Sequence, residues 1–136
     1  MRKWINLVES IAPQYLYHGT WKSNLPEIKA HGLEPSRSKS SLQAIFLAGD
    51  AYTADNYQYQ QDHGSGEWRV LKIDLSQLDP SLLGPDNYEL PDMLAQNGDP
   101  RDWDECSWQD SLEICCQVAY YGVIPSSAIL GIVAGK

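Results

Sequence analysis

The sequence predicts an α+β fold, in which several short strands form a sheet and small helices lie between them. Two observations indicate this class: the strand-like segments are not regularly spaced along the chain, and the helical segments are short with capping residues at their ends. The hydrophobic content of 43% is that of an ordinary globular protein. A chain of 136 residues is long enough for one core, so we expect a single domain over residues 1–136.

The first part of the chain predicts a helix, a strand and a second helix. Apolar residues at helical spacing indicate an amphipathic helix over residues 2–11. The segment "QYLYHGT" then predicts a short strand that runs into a turn at Gly19. The segment "SNLPEIKAHGL" predicts a helix that Asn24 caps, with Glu27 three residues later and Gly32 as its C-terminal stop.

The middle of the chain predicts two more strands and a helix. "EPSRSKSS" indicates a polar, basic loop, and "QAIFLAG" a strand, after which Asp50 caps a helix that continues to about Tyr59. "DHGSGE" is typical of a flexible hairpin turn rather than a metal site. "EWRVLKIDL" predicts a strand because Leu71, Ile73 and Leu75 alternate onto one face.

An acidic segment at residues 85–110 carries most of the net charge of the chain. It holds eight of the eighteen acidic residues and one basic residue, Arg101, which gives it a charge of −7. This charge disfavours general nucleic-acid binding. Two interpretations remain open: a solvated, partly irregular insertion, or an acidic patch for a basic protein partner or a mimic of a phosphate backbone. Exposed rings at Trp103 and Trp108 would favour the partner surface.

The C-terminal part predicts a short helix in "SWQDSLEIC" and two closing strands in "CQVAYYGVI" and "SAILGIV", separated by a turn at Pro125. The three cysteines, Cys106, Cys115 and Cys116, have neither disulfide-framework nor zinc-ligand spacing, which indicates reduced thiols and no metal. Cys115 and Cys116 are typical of small buried residues rather than nucleophiles. Glu9 interrupts any signal peptide and no apolar run is long enough for a membrane helix, so we expect a cytoplasmic protein without membrane contacts.

The stretch "QYLYHGTWKSN" contains the first candidate site. His18 stands at the end of a strand, before Gly19, whose lack of a side chain permits close approach of a ligand to the backbone. Thr20 offers a hydroxyl, and Tyr15 and Tyr17 supply aromatic walls, a combination that suits a ribose diol or a phosphate. The alternative is that His18 is a partly buried histidine bonded to a backbone carbonyl.

Longer patterns resemble a known family. "YLYHGTWKSNLPEIKAHGLEPS" is similar to the start of the catalytic domain in diphtheria-toxin-like and poly(ADP-ribose) polymerase-like ADP-ribosyltransferases. In that family, an aromatic or hydrophobic residue, His-Gly-Ser/Thr and a polar turn precede a helix of the form N-x-x-x-I-x-x-x-G-L. The matching residues of the helix are Asn24, Ile28, Gly32 and Leu33.

Two further motifs of the family have counterparts here. A strand and helix of the form I-Y-F-A, then S-x-x-A/S-x-x-Y, is similar to "AIFLAGDAYTADNY", with matches at Ile45, Ala48, Ala51, Asn56 and Tyr57. A strand led by glutamate corresponds to "QVAYYGVIPSSAI", which has Gln117 in place of the acid.

The resemblance implies a split, mainly antiparallel β-sheet with small peripheral helices and NAD as the substrate in its cleft. His18 would bond to the ribose beside the nicotinamide, Gly19 would hold the nicotinamide amide through its backbone, and Thr20 would support the ribose. Phe46 would stack on the nicotinamide ring, and Tyr57 would form another aromatic wall.

Gln117 would occupy the position of the catalytic acid. An amide can hold a ribose hydroxyl, but it can neither take a proton nor offer a full negative charge, so Glu113 is the nearest substitute acid along the chain. Tyr17 would contact the cofactor as an aromatic wall. Arg37, in the basic loop, would clamp the pyrophosphate, or else belongs to a solvated loop.

We therefore expect NAD-dependent transfer of ADP-ribose to an unidentified acceptor, a protein rather than a nucleic acid, as in a toxin or a phage-encoded modifier. The alternative is a catalytically weak or inactive binding module of the same fold that acts through a protein partner, which Gln117 favours. The tRNA 2′-phosphotransferases also share the His-Gly-Thr, and such an enzyme would need Arg37 and Arg69 at a phosphate site. An unrelated α+β domain with a chance match is the last alternative.

Overall fold

Six strands form one antiparallel sheet in the computed structural model, which describes residues 13–37, 43–61 and 67–135. The strand order is β4-β5-β2-β1-β3-β6. The strands are β1 (Tyr15–Trp21), β2 (Ile45–Ala48), β3 (Trp68–Asp74), β4 (Leu83–Pro85), β5 (Gln117–Tyr120) and β6 (Ile129–Gly135). The expected α+β class is confirmed, and every strand pair in the described residues is antiparallel.

Four α-helices connect these strands in the described part of the chain: α1 (Leu25–His31), α2 (Ala51–Gln61), α3 (Glu89–Gln96) and α4 (Trp108–Cys115). None of the helices in those residues is long and apolar enough to cross a membrane. The expected helix at residues 2–11, most of the "SRSKSS" loop and the "DHGSGE" turn lie outside the described residues.

Local capping signals explain where the first two helices begin and end. Asp50 caps α2 as expected, since its Oδ1 accepts a hydrogen bond from the Thr53 backbone N–H at 2.7 Å. Gly32 ends α1 with a φ of 75°, a conformation that glycine adopts without strain. The expected cap at Asn24 is wrong, because its side chain makes no capping bond to α1 and instead donates to Thr20 Oγ1 at 3.1 Å.

The sheet packs apolar side chains on both faces. One cluster includes Leu16, Leu47, Leu71, Ile73 and Val118. A second cluster contains Trp21, Ala48, Ala54, Trp68 and Val70. Because successive strand residues point to opposite faces, the first cluster lies on one face and the second, covered by α2, lies on the other.

The acidic segment at residues 85–110 is partly regular: it contains α3, a 3-10 turn at Trp103–Glu105 and the beginning of α4, and residues 97–102 and 106–107 lie outside these helices. Leu90, Leu94 and Cys106 form a small cluster of its own, against which Trp103 packs. Trp108 packs against the first cluster instead. Both tryptophans are half-buried, so they do not form the exposed aromatic surface that would mark a partner site.

The sheet has a narrow junction between β1 and β2. Within the described residues these strands pair at one position, Tyr17 with Ala48, whereas β1 and β3 pair along the whole of β1. Strand β2 pairs with β5 along its full length. The sheet therefore consists of two three-stranded halves, β4-β5-β2 and β1-β3-β6, that meet at a single register pair.

Candidate functional site

Four of the predicted site residues gather on one face of the sheet at this junction. The register aligns Tyr17, Ala48 and Gln117 side by side across β1, β2 and β5. Gly19 and Phe46 lie two positions from members of this row, so strand alternation places them on the same face. Tyr17, Gly19, Phe46 and Gln117 thus lie on the face of the second cluster.

Gln117 has an unusual environment for a buried polar residue. Its side chain is 1% exposed, and neither Nε2 nor Oε1 has a hydrogen-bond partner among the described residues. A buried amide without partners costs about 1–3 kcal/mol. Most buried polar groups in proteins are satisfied, so an exception of this kind is typical of a site that a ligand or water completes.

Asp86 lies at the edge of the same site and is wholly buried. Its Oδ2 caps α3 by accepting hydrogen bonds from the backbone N–H groups of Tyr88 (3.1 Å), Glu89 (2.6 Å) and Leu90 (3.3 Å). Its Oδ1 is buried and has no partner in the described ranges. Burial raises the pKa of Asp86, and the three backbone hydrogen bonds oppose that shift.

A serine hydroxyl joins Asp86 to Gln117. The β4–β5 pairing ends at Pro85 and Val118, so the ladder does not include Asp86 and Gln117. Instead, the Asp86 N–H donates to Ser111 Oγ at 3.0 Å, and this hydroxyl donates to the Gln117 carbonyl at 2.5 Å. The buried Ser111 of α4 thereby fixes the ends of β4 and β5 relative to one another.

Two cysteines lie next to this linkage. The Cys115 thiol donates to the Gln117 carbonyl at 3.7 Å, and burial raises the pKa of Cys115 to about 11. Cys116 adopts a left-handed backbone with a φ of 62°, and its thiol donates to Asp50 Oδ2 at 3.3 Å. Burial also raises the pKa of Cys116. Burial thus shifts the pKa of both groups towards the protonated thiol, although both side chains are half-buried rather than buried as expected.

Two aromatic rings border the site from different elements. The Phe46 ring of β2 and the Tyr88 ring meet edge to face, with centroids 6.2 Å apart and planes at 89°. Tyr88 immediately precedes α3, and its side chain is 53% exposed, so one edge of the pair faces solvent. An exposed aromatic wall beside a buried amide is an arrangement that suits a flat, polar ring.

His18 lies across the β1–β2 junction. Its Nδ1 is 2.8 Å from the Phe46 carbonyl, and because a carbonyl only accepts, Nδ1 donates the proton. His18 pairs with Leu71 of the first cluster, so alternation directs its side chain away from the face of Gln117. The contact is the one expected for a histidine bonded to a backbone carbonyl, and it ties the two halves of the sheet together.

Gly19 and Thr20 have packing partners of their own. A Cβ on Gly19 would lie 2.6 Å from the Ala54 carbonyl oxygen and would overlap the indole of Trp68. A glycine is therefore required here by the packing of α2 and Trp68, and the expected contact of the Gly19 backbone with a ligand stays a prediction. Thr20 is buried and its hydroxyl accepts the Asn24 bond.

The predicted arginines are bound to carboxylates at the surface. Arg37 pairs with Glu34 at 2.8 Å and with Glu27 at 3.4 Å, and all three side chains are at least partly exposed. Arg69 pairs with Glu67 at 2.7 Å. Exposed ion pairs contribute little stability, so Arg37 can exchange its carboxylates for a phosphate at small cost.

The described geometry separates the expected substitute acid from Gln117, and it leaves Tyr57 as a prediction. Glu113 is exposed on α4, while Gln117 is buried at the start of β5. Tyr57 belongs to α2, but its side chain lies outside the described part of that helix. No group of three or more His, Cys, Asp or Glu side chains within the described residues is placed to hold a metal ion.

Asp86, Tyr88 and Ser111 are the residues that sequence reasoning missed. The spacing from Asp86 to Glu89 is an N-cap signal before an apolar run, and it could have predicted the start of α3. Nothing local predicts that Tyr88 meets Phe46 or that Ser111 joins two strands, because those contacts depend on how distant segments pack.

Comparison with known proteins adds a similarity of fold. No family model matches the chain, and no curated protein matches it either. Six solved chains resemble this structure. One of them, EcPltA, superposes with a TM-score of 0.51 over 93% of this chain and 86% of its own length, at 13% sequence identity. At 13% identity, this similarity shows only that the two chains share a fold.

Proposed function

We propose that this protein has an ADP-ribosyltransferase-like fold, binds NAD at the β1–β2 junction and transfers ADP-ribose from it to an acceptor. The observation that supports the proposal is the Gln117 amide, which is buried with both polar atoms unpartnered among the described residues. It stands at the start of β5, where the family resemblance expects the residue that contacts the ribose. The narrow junction of the sheet agrees with a split sheet.

The groups on this face match the chemistry of the nicotinamide-ribose end of NAD. The edge-to-face pair of Phe46 and Tyr88 offers an aromatic surface to a flat pyridine ring. The Gln117 amide carries both donors and an acceptor, so it can bond a ribose hydroxyl in either sense. Arg37, whose ion pairs are exposed, is available to the pyrophosphate.

The reaction follows from the charge that develops on the ribose. The bond from C1′ to the nicotinamide nitrogen breaks with its electron pair going to nicotinamide, which leaves neutral, and C1′ becomes cationic. An acceptor nucleophile then bonds to C1′ and gives up a proton to water. Fixed contacts to the ribose stabilise this cationic transition state when they strengthen as the charge develops.

A second candidate is a binding module of the same fold without turnover. It is favoured by Gln117 itself, since an amide supplies neither a base nor a full negative charge where the family has glutamate. Loss of one such electrostatic contact costs about 10²- to 10³-fold in rate. Such a module would bind NAD and act through a protein partner.

Titration calorimetry of the purified protein with NAD, followed by measurement of nicotinamide in the same samples, tests both candidates. Binding with release supports the transferase, and binding without release, even with cell lysate and labelled NAD, supports the binding module. Gln117→Ala should weaken binding, and the control Gln109→Ala, on the exposed side of α4, should not. Absence of binding by the wild-type protein would overturn both candidates.

A further inference from the structure

We infer that Asp86 supplies the negative charge that Gln117 cannot, and that it positions both Gln117 and Tyr88 around the reacting ribose. This inference rests on the proposed function. It assigns a role to a residue of the acidic segment that no family motif reaches, and it makes the beginning of that segment part of the site.

Hydrogen bonds connect Asp86 to other residues of the candidate site. The β4–β5 pairing ends one residue before Asp86, and Ser111 Oγ bonds to the backbones of Asp86 and Gln117. The Asp86 carboxylate also accepts the Tyr88 N–H, and the Tyr88 ring contacts Phe46. Asp86 is thus bonded to the Tyr88 backbone through its carboxylate and, through its own N–H and Ser111, to the Gln117 backbone carbonyl.

The two oxygens of the Asp86 carboxylate have different surroundings. Oδ2 is held by three backbone N–H groups at the start of α3, so the carboxylate has a fixed orientation. Oδ1 is buried, and the described residues provide no hydrogen-bond partner for it. A buried charge with one unsatisfied oxygen is costly in a protein and is typical of a site where a positive charge arrives. The transition state of the proposed reaction brings such a charge.

Other carboxylates near the site are less suited to this role. Both oxygens of Asp50 are engaged, one by the Thr53 N–H and one by the Cys116 thiol. Glu113 is exposed on α4, where water screens its charge. A charge in the interior acts more strongly at a given distance because the effective dielectric constant is lower there.

The protonation of Asp86 gives the role a pH signature. Burial raises its pKa, and the charge of Glu89 raises it further, while the backbone hydrogen bonds to Tyr88, Glu89 and Leu90 lower it. Among the neighbours of Asp86, Cys115 of α4 carries a titratable thiol, whereas Ser111 of α4 and Gln117 of β5 are uncharged. Nicotinamide release should therefore rise with pH as Asp86 loses its proton.

The test compares Asp86→Asn with Asp92→Asn, which removes the same charge from the exposed side of α3. Asparagine caps helices as well as aspartate does, so α3 should remain intact in Asp86→Asn. We expect this variant to bind NAD almost as the wild type does, to release nicotinamide about 10²-fold more slowly, and to lose the acidic limb of the pH profile. Asp92→Asn should match the wild type in all three measurements.

A second variant keeps the test informative if Asp86→Asn does not fold. Gln117→Glu in the wild-type background places a second carboxylate beside Asp86, so we expect no gain in rate, whereas Gln117→Glu should rescue a folded Asp86→Asn. A large gain from Gln117→Glu alone would show that no other acid serves the site and would overturn the inference.

The remaining outcomes separate the inference from the proposed function. Equal release by Asp86→Asn and the wild type would overturn the role of Asp86 and leave the transferase standing. Binding of NAD without release by the wild type would also overturn it and leave the binding module. A wild-type protein that does not bind NAD would overturn the proposed function and the inference together.

Discussion

Replacement of Gln117 by methionine should make the protein more stable and at the same time abolish binding of NAD. Methionine has nearly the shape of glutamine and no amide, and flexible side chains of this type fill irregular core sites well. The amide of Gln117 is buried without partners among the described residues, so its removal takes away a cost and breaks no described hydrogen bond.

The magnitude follows from the cost of a buried amide. An unsatisfied buried polar group costs about 1–3 kcal/mol, and substitution by an apolar group of similar shape recovers that cost. We therefore expect Gln117→Met to raise the free energy of unfolding by about 1–3 kcal/mol. For a chain of this size, that gain corresponds to roughly 3–4 °C in Tm per kcal/mol.

Urea unfolding followed by tryptophan fluorescence gives the change in stability, and calorimetric titration gives the affinity for NAD. Gln109→Met is the matched control, because Gln109 is exposed on α4 and its replacement should leave the stability within about 0.5 kcal/mol of wild type. A Gln117→Met protein that is less stable than the wild type would show that the amide is satisfied, for instance by buried water. The reasoning that links Gln117 to a ligand would then be refuted.

Three other substitutions test the packing and the electrostatics around the site. Gly19→Ala should destabilise the protein by about 1–3 kcal/mol, since a Cβ there overlaps the buried Trp68 and meets the Ala54 carbonyl; an unchanged unfolding midpoint in denaturant would contradict the packing argument. Asp50→Ala should cost about 0.5–2 kcal/mol through the loss of the α2 cap, and Asp50→Asn should restore most of it in the same unfolding assay. Asp86 binds its proton more tightly in the folded state than in the unfolded state. The free energy of unfolding of the wild type, relative to that of Asp86→Asn, should therefore fall as pH rises through the raised pKa of Asp86. A difference between the two proteins that does not change with pH would contradict this prediction.

The elements that sequence reasoning predicted correctly are those with local signals. Alternation of Leu71 and Ile73 predicts β3, because a strand that buries one face carries its apolar residues at every second position. The cap at Asp50 and the stop at Gly32 act within four residues of their partners, so they are visible in sequence. The cap at Asn24 failed because Thr20, at the end of β1, competes for its side chain.

The site was predictable only in part, because its geometry depends on contacts between distant segments. Phe46 and Gln117 were located through family motifs, and the register places both on one face. The packing of Gly19 was not predicted, since the neighbours that require a glycine, Trp68 and α2, come from other parts of the chain. Asp86 and Ser111 are separated by 25 positions, and no pattern along the chain indicates their hydrogen bond.

The single register pair between Tyr17 and Ala48 predicts where the sheet opens most readily. Each half of the sheet has its own continuous ladder, so separation at this pair breaks few backbone hydrogen bonds, whereas loss of β3 breaks its ladders with both β1 and β6. In native-state hydrogen exchange, we therefore expect amides at the junction to exchange through a low-energy local opening, while those of β3 follow the stability of the whole protein. The contacts that such an opening must break are the His18 hydrogen bond to the Phe46 carbonyl and the apolar contacts that the two halves share.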